Sequence, residues 1–389
     1  MSMKEGWEYK KFNEVFDLQM GKTPDRKTPQ YFEGDNVWVS IRDMGAKEIS
    51  DSNEHISDEA IVASNIRKVK KGTVIMSFKL TVGKCAIAAK DLYTNEAIMA
   101  FNLKEGYNVK PDFLYYYLRA YKWTGANKAV MGITLNKATI SQHRLGIPPL
   151  SEQQRIVEEL DLLSSIIEKK KTQLKELDSL AQSIFYDMFG DPVTNEKGWE
   201  NEKMNTLCTI TSSKRIFANE YSEEGVPFYR GKEITELSKG QAISIELNIS
   251  QKRYNEIKKE FGVPSIGDIL ITAVGTIGNI WVVSDDREFY FKDGNIIWLK
   301  DIKGLNPSFF RKLLSILIDA YKSEMAQGCA YNALTIVNLK KMRVLCPPLP
   351  LQQQFAEKIE AIERQKELIK QSIKEVETLF NSRMDYYFN

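Results

Sequence analysis

Residues 148–160 read PPLSEQQRIVEEL, and residues 347–359 read PPLPLQQQFAEKI. The two stretches lie 199 positions apart in a chain of 389. After each comes about forty residues in which apolar side chains recur at alternating steps of four and three. In the first copy these are Ile156, Leu160, Leu163, Ile167, Leu174, Leu177, Ala181, Ile184 and Met188, with Lys170 filling the one gap. In the second they are Phe355, Ile359, Ile362, Ile369, Ile373, Val376, Phe380 and Tyr387, interrupted by Lys366 and Arg383. A sustained four-three alternation marks a helix whose apolar seam needs a partner helix. Ser151 and Gln154 have capping-box spacing, Gly190 before Pro192 is a stop signal, and Pro350 suits a first helical turn. Two helices of ~38 residues, each ~57 Å long, are predicted to bury their seams on each other in an antiparallel coiled coil.

The repeat reaches beyond the helices. Gly6-Trp7-Glu8 returns as Gly198-Trp199-Glu200, KGTVIMSFKLTVGK (71–84) aligns with IGDILITAVGTIGN (266–279), and VKPDFLYYYL (109–118) matches LNPSFFRKLL (305–314). Leu135 to Pro149 runs in step with Leu334 to Pro348. The order is globular unit, long helix, globular unit, long helix, a duplication rather than a short-period solenoid. Short β-rich runs predict strands at 36–41, 73–78, 84–89 and 96–103, and again at 226–229, 268–274, 279–284 and 295–300. Helices follow at 111–122 and 307–325. The fold class is therefore α+β: two globular domains, each a mixed or antiparallel sheet plus helices, joined by the paired long helices. The domain bounds read 1–147, 148–190, 191–346 and 347–389. A globular unit at each end of a rod is the simplest arrangement.

Composition narrows the function. Hydrophobic residues make up 43% and charged residues 27% of the chain, ordinary for a globular protein. No apolar run approaches the ~20 residues of a membrane span. The opening MSMKEGWEYKKF lacks the apolar core of a signal peptide, so a cytoplasmic protein that does not meet a membrane is expected. The net charge of +2 conceals a partition: +5 over residues 1–150, −3 over 151–189, +1 over 190–345 and −1 over 346–389. The globular parts are the basic ones, which suits contact with nucleic acid there.

Catalytic and cofactor motifs are missing. Cys85, Cys208, Cys329 and Cys346 are scattered, and His55 and His143 are the only histidines, so no zinc grouping is expected and buried free thiols are. Gly21-Lys22-Thr23 resembles the end of a phosphate-binding loop, but Phe16 stands where that loop requires Gly and Pro24 opposes helix entry. The Pro-Pro pairs read IPPL and CPPL, without the preceding Asn or Asp and following aromatic of base-amino methyltransferases. No hydrolytic triad is visible, and no cofactor is expected. The run Tyr115-Tyr116-Tyr117 is read as helix packing rather than base stacking.

These features resemble a known family. LQMGKTPDRKTPQYFEGDNVWVSIRDM (18–44) is similar to the opening of a target recognition domain. GITLNKATISQHRLGIPPLSEQQRIVEEL with KELDSLAQSIFYDMFGD, and CPPLPLQQQFAEKIEAIERQKELIKQ, resemble the two helical regions of the specificity subunit of type I restriction-modification systems. Unit two departs from the opening pattern, with SSKRIFANEY in place of GKTPDRKTPQYF. The resemblance implies a non-catalytic subunit that binds double-stranded DNA at a bipartite, asymmetric target, one half per recognition domain. It implies two modification (methyltransferase) subunits as partners, and restriction/translocase subunits in the full complex. Half-sites would lie about one helical turn, ~34 Å, apart. A coiled-coil adaptor would explain the helices but not the duplicated basic domains, and a stand-alone DNA-modifying enzyme would need a cofactor loop.

Base and phosphate contacts call for Lys, Arg, Asn, Gln and Thr at strand ends. The candidates recurring in both units are Lys22, Thr23, Arg42, Lys79, Thr81 and Lys84, with Lys214, Arg215, Arg230, Lys232 and Thr276. Asn136, Lys137, Tyr331 and Asn332, which precede the long helices, complete the set.

Overall fold

The computed structural model describes residues 4–123, 127–129, 132–245, 247–326 and 333–389. The chain forms two compact units, one of residues Met1–Thr172 with Lys370–Asn389, the other of Gln173–Ile369. Both long helices, Leu150–Phe189 and Leu349–Phe388, run 40 residues and contribute to both units.

In the first unit a five-stranded sheet runs in the order Phe16–Met20, Ile98–Leu103, Val74–Ser77, Cys85–Ala88, Glu48–Ile49. Its pairings are antiparallel except the last, between Glu48–Ile49 and Cys85–Ala88. A second sheet pairs His55–Ile56, Asn36–Val39 and Tyr93–Thr94, with the latter two parallel. Val74–Ser77 is buried throughout because both of its faces are covered. Val74 and Met76 point into the core beneath helix Pro111–Ala120, while Ile75 faces the opposite cluster with Val37 and Val39. That is the period-two alternation of a strand between two layers.

The second unit repeats the plan. Thr209–Thr211, Ile296–Lys300, Ile269–Thr272 and Ile280–Val282 form an antiparallel sheet. Tyr221–Ser222, Asn248–Ile249, Val226–Tyr229 and Tyr290–Phe291 form the second sheet, its last pairing parallel. Each predicted strand and helix is present, with the strand ends trimmed by up to two residues. Each unit is closed by an antiparallel pair between its first strand and the strand before the Pro-Pro element: Glu8–Lys11 with Arg144–Ile147, and Asn201–Lys203 with Arg343–Leu345.

The long helices pair antiparallel within each unit. In the first, Glu159 accepts from Arg383 Nη2 (3.1 Å) and from the Tyr387 hydroxyl (2.5 Å), and Ile156, Leu160, Leu163 and Ile167 are buried. In the second, Phe185 and Phe189 pack on Phe355 at 5.6 and 5.5 Å, and Ile362, two turns further along the second long helix, is buried. The seam positions Leu174, Leu177, Ile184, Ile359, Ile369, Ile373, Val376 and Phe380 are half-buried. Lys366 resolves its place in the seam by bonding Asp178 across the helix pair and Glu363 along its own helix, both at 2.8 Å. Burial alone would lower its pKa, but the two carboxylates outweigh that and raise it.

Two local readings change. The heptad register places Ile184 and Met188 in the seam, where they are half-buried against the core, and the fully buried residues beside them are Phe185 and Phe189. A helix drifts ~20° per heptad against a strict seven-residue repeat. Over the four heptads from Ile156 this approaches the ~100° that separates neighbouring residues, so the buried face moves on by one. Ser151 and Gln154 form no capping box either. The helix already begins at Leu150, with Glu152 N–H and Gln153 N–H bonding the Pro149 carbonyl, and the Gln154 amide bonds Glu158 at 2.7 Å. The stop at Gly190 holds: its φ is +75° and its N–H bonds the Tyr186 carbonyl.

The repeated glutamine has a structural role that periodicity did not show. Gln153 is fully buried at the base of the first long helix. Its Oε1 accepts from Lys110 N–H (2.8 Å), and its Nε2 donates to the carbonyls of Asn108 and Pro148 (2.9 Å each). Gln352 does the same for Asn306 N–H (2.8 Å), Gly304 O (3.2 Å) and Pro347 O (2.7 Å). Each glutamine staples its long helix to the loop preceding helix Pro111–Ala120 or Pro307–Ala326. In the first of these helices Tyr115, Tyr116 and Tyr117 are all buried, as packing requires. Cys85 and Cys208 are buried thiols, and burial pushes Cys208 up to about 12. Cys346 is half-buried and Cys329 lies outside the described residues.

Candidate nucleic-acid interface

The described candidate residues gather at one end of each main sheet. In the first unit the turn 78–84 leaves strand Val74–Ser77 there, and Lys22 and Thr23 follow strand Phe16–Met20. Ser77 shapes the turn. Its buried hydroxyl donates to the Thr81 carbonyl and accepts from Lys84 N–H (3.1 Å), while Gly83 N–H bonds the Ser77 carbonyl (3.0 Å). In the second unit Thr272 replaces Ser77: its hydroxyl donates to the Thr276 carbonyl and accepts from Asn279 N–H (3.0 Å), and Gly278 N–H bonds its carbonyl (2.8 Å). Gly83 and Gly278 sit at φ +86° and +87°, which glycine adopts at no steric cost. Thr81 therefore corresponds to Thr276, and Lys84 to Asn279. The turn bases are fixed alike, with Leu135 N–H on the Phe78 carbonyl and Leu334 N–H on the Ala273 carbonyl.

Hydrogen bonds bring the other candidates to the same end. Lys84 Nζ donates to the Ile41 carbonyl (2.9 Å), beside exposed Arg42. Trp38 Nε1 donates to the Lys22 carbonyl (3.0 Å). Gly21 is forced here, because a Cβ would lie 2.2 Å from the carbonyl oxygens of Thr94 and Asn95. Lys22 Nζ reaches the Ser64 carbonyl (3.1 Å), the Thr23 hydroxyl bonds Glu96, and Lys79 Nζ lies 5.5 Å from the Phe78 ring centroid. Asn136 caps helix Lys137–Gln142, its side chain accepting from Thr139 N–H (2.8 Å), with Lys137 exposed beside it. That gives Asn136 a structural task.

In the second unit Lys214 occupies the position of Lys22. Its N–H bonds the Tyr290 hydroxyl (2.7 Å) and its Nζ lies 5.1 Å from the Phe261 ring. Arg215, at the position of Thr23, pairs with Asp293 (2.8 Å). Strand register does not place the two arginine candidates, Arg42 and Arg230, at equivalent positions. Trp38 pairs with Tyr93 as Phe228 pairs with Tyr290, so Arg230 answers to Ser40 and Lys232 to Arg42. The acids confirm it: Asp43 accepts from Ser40 N–H (2.7 Å), and Glu233 from Arg230 N–H (2.8 Å). The Arg230 guanidinium also bonds Glu233 at 2.9 Å, and Glu233 is only 1% exposed. Thr276 reaches the Thr235 hydroxyl (3.2 Å) on helix Gly231–Ser238, and Lys232 is exposed at the start of that helix. Tyr331 and Asn332 lie outside the described residues.

A family model described as the type I restriction modification DNA specificity domain matches the chain twice, over residues 4–178 and 196–378. The chain belongs to the type I restriction-modification DNA specificity family. Among its relatives, a type I restriction enzyme MjaIX specificity subunit of Methanocaldococcus jannaschii is 26% identical over 383 residues, covering 90% of this chain and 85% of that one. A putative type I restriction enzyme specificity subunit of Haemophilus influenzae is 28% identical over 305 residues, 77% of this chain and 76% of the other. Two solved structures share the fold. One, described as concerning complex assembly and conformational transition of the type I system, has a TM-score of 0.62 at 18% identity, covering 100% of this chain and 99% of that one. The other, a type I S subunit from M. genitalium, has a TM-score of 0.53 at 14% identity, covering 100% and 98%. The two specificity domains each carry one copy of the pinned turn and its basic surroundings. As a specificity subunit the chain serves DNA sequence recognition in a type I system and is not its catalytic part.

Proposed function

We infer that each unit reads one half of a bipartite, asymmetric target in double-stranded DNA through the loop end of its main sheet. The observation that carries this reading is the duplicated turn, fixed by buried Ser77 or Thr272 and flanked by Lys22, Arg42, Lys79 and Lys84 in one unit and by Lys214, Arg215 and Lys232 in the other. Rigid turns with cations around them position phosphates and leave side chains free for base edges. The recognition domains are residues 1–147 and 191–346, with helical regions 148–190 and 347–389 acting as spacers. The subunit assembles with two modification subunits, and with restriction/translocase subunits in the full complex. It works in the cytoplasm. Among the described residues no helix is long and apolar enough to cross a membrane. The test is to map methylated positions in DNA from cells expressing this chain with its modification partner. A two-part asymmetric motif is expected; methylation without a motif, or with a single continuous one, overturns the reading.

A further inference from the structure

Four described residues other than glycine have positive φ: Asn65, Leu80, Asn195 and Asp301. Asn and Asp tolerate the left-handed region through local hydrogen bonding; Leu does not. Leu80, at φ +63°, stands at the tip of the turn 78–84. The equivalent residue of the second unit is Gly275, at φ +76°, where the same backbone costs nothing sterically. The Leu80 side chain brings no compensating burial. It is 57% exposed and belongs to none of the apolar clusters of its unit. The turn beneath it is held rigid from both sides, by the Ser77 hydroxyl and by the Phe78 N–H and carbonyl, which bond Ala97 and Leu135. A strained, exposed apolar tip on a rigid base is matched to something outside the chain. Its neighbours Lys79 and Lys84, and Arg42 beyond the Lys84 contact, are cationic, which favours a polyanion there.

Building on the DNA reading above, we propose that Leu80 reads the first half-site through apolar contact with a thymine 5-methyl group in the major groove. Thymine is the base whose major-groove edge presents an apolar group. The second unit, with Gly275 at this place, makes no such contact, so the device distinguishes the two half-sites.

The test uses the complex with the modification subunits and duplexes carrying the mapped target, with deoxyuridine replacing thymine one position at a time. The unaltered complex should lose about fourfold in affinity at one position of the first half-site, the effect of one buried methyl. Leu80→Gly should bind the thymine duplex about fourfold or more weakly, be indifferent to uracil at that position, and melt at the same or a higher temperature. Leu80→Ala, which keeps the Cβ and removes the rest, should show the same loss of affinity. Unchanged affinity in both variants, equal losses on thymine and uracil duplexes, a lowered melting temperature for Leu80→Gly, or a first half-site without thymine overturns the proposal. An unaltered complex that binds no duplex overturns the DNA reading itself, whereas normal binding that ignores Leu80 overturns this proposal alone.

Discussion

Replacing Gln153 by Leu removes three hydrogen bonds at a site with no exposure while nearly preserving volume. The Lys110 N–H and the carbonyls of Asn108 and Pro148 are left without the amide they face. A net hydrogen bond is worth ~1 kcal/mol, and a buried group left unsatisfied costs ~1–3 kcal/mol. A loss of roughly 3–5 kcal/mol follows, confined to the first unit. For a unit of this size each kcal/mol lowers the melting temperature by about 2–4 °C, so the transition should fall by about 10 °C. Calorimetry on the purified full chain measures it, with Gln352→Leu as the matched change in the second unit. Gln153→Glu adds a sign. A carboxylate still accepts from Lys110 N–H but repels the two carbonyls, so its folded pKa lies above the ordinary ~4.3. Its protonated form is the one that fits, so the variant should be most stable below that value and weaken as pH rises through the raised pKa. A Gln153→Leu loss below ~0.5 kcal/mol, within the ordinary range of a surface change, would refute the view that the glutamine fastens the helix to the recognition domain.

Other outcomes follow from the same geometry. Lys47 Nζ lies 2.6 Å from both Asp112 and Asp161, and Tyr116 OH donates to Asp161 at 2.5 Å. Burial would lower the Lys47 pKa, but the two carboxylates raise it. Its contribution, discounted to ~1 kcal/mol because both acids are 42% exposed, should be fully present below the ordinary ~10.4 and be lost as pH rises from there through the raised value; Lys47→Met should abolish this alkaline step in a pH-stability profile. Arg42→Ala and Lys232→Ala should impair opposite half-sites, by ~1–3 kcal/mol at one position each if they read bases; uniform weakening in competition binding would mark them as phosphate contacts. Arg230→Ala should instead lower the melting temperature of the second unit, because it strips a partner from buried Glu233. Four residues inserted near Lys170 lengthen the first long helix by ~6 Å, nearly two base pairs of DNA rise; the methylated half-sequences should stay the same and the gap between them grow by one or two bases, and an unchanged gap would sink the spacer role.

The sequence by itself determined the duplication, the strands, the two long helices and the pairing of their seams. All of these rest on periodicity, and periodicity survives in one dimension because burial on a helix or strand face repeats at a fixed step. Ile156, Leu160, Leu163 and Ile167 could be placed for that reason. What only the tertiary structure decided depends on partners distant in the chain. Gln153 looks like an exposed polar residue in a helical run until its contacts at Asn108 and Lys110 are known. Arg230 looks like the counterpart of Arg42 until strand register assigns that place to Lys232. Phe185 and Phe189 take the fully buried positions beside half-buried Ile184 and Met188 because small angular drift accumulates along a long helix. Leu80 looks like one apolar residue among many, and its left-handed backbone appears only when Ser77, Phe78 and Gly83 close the turn around it.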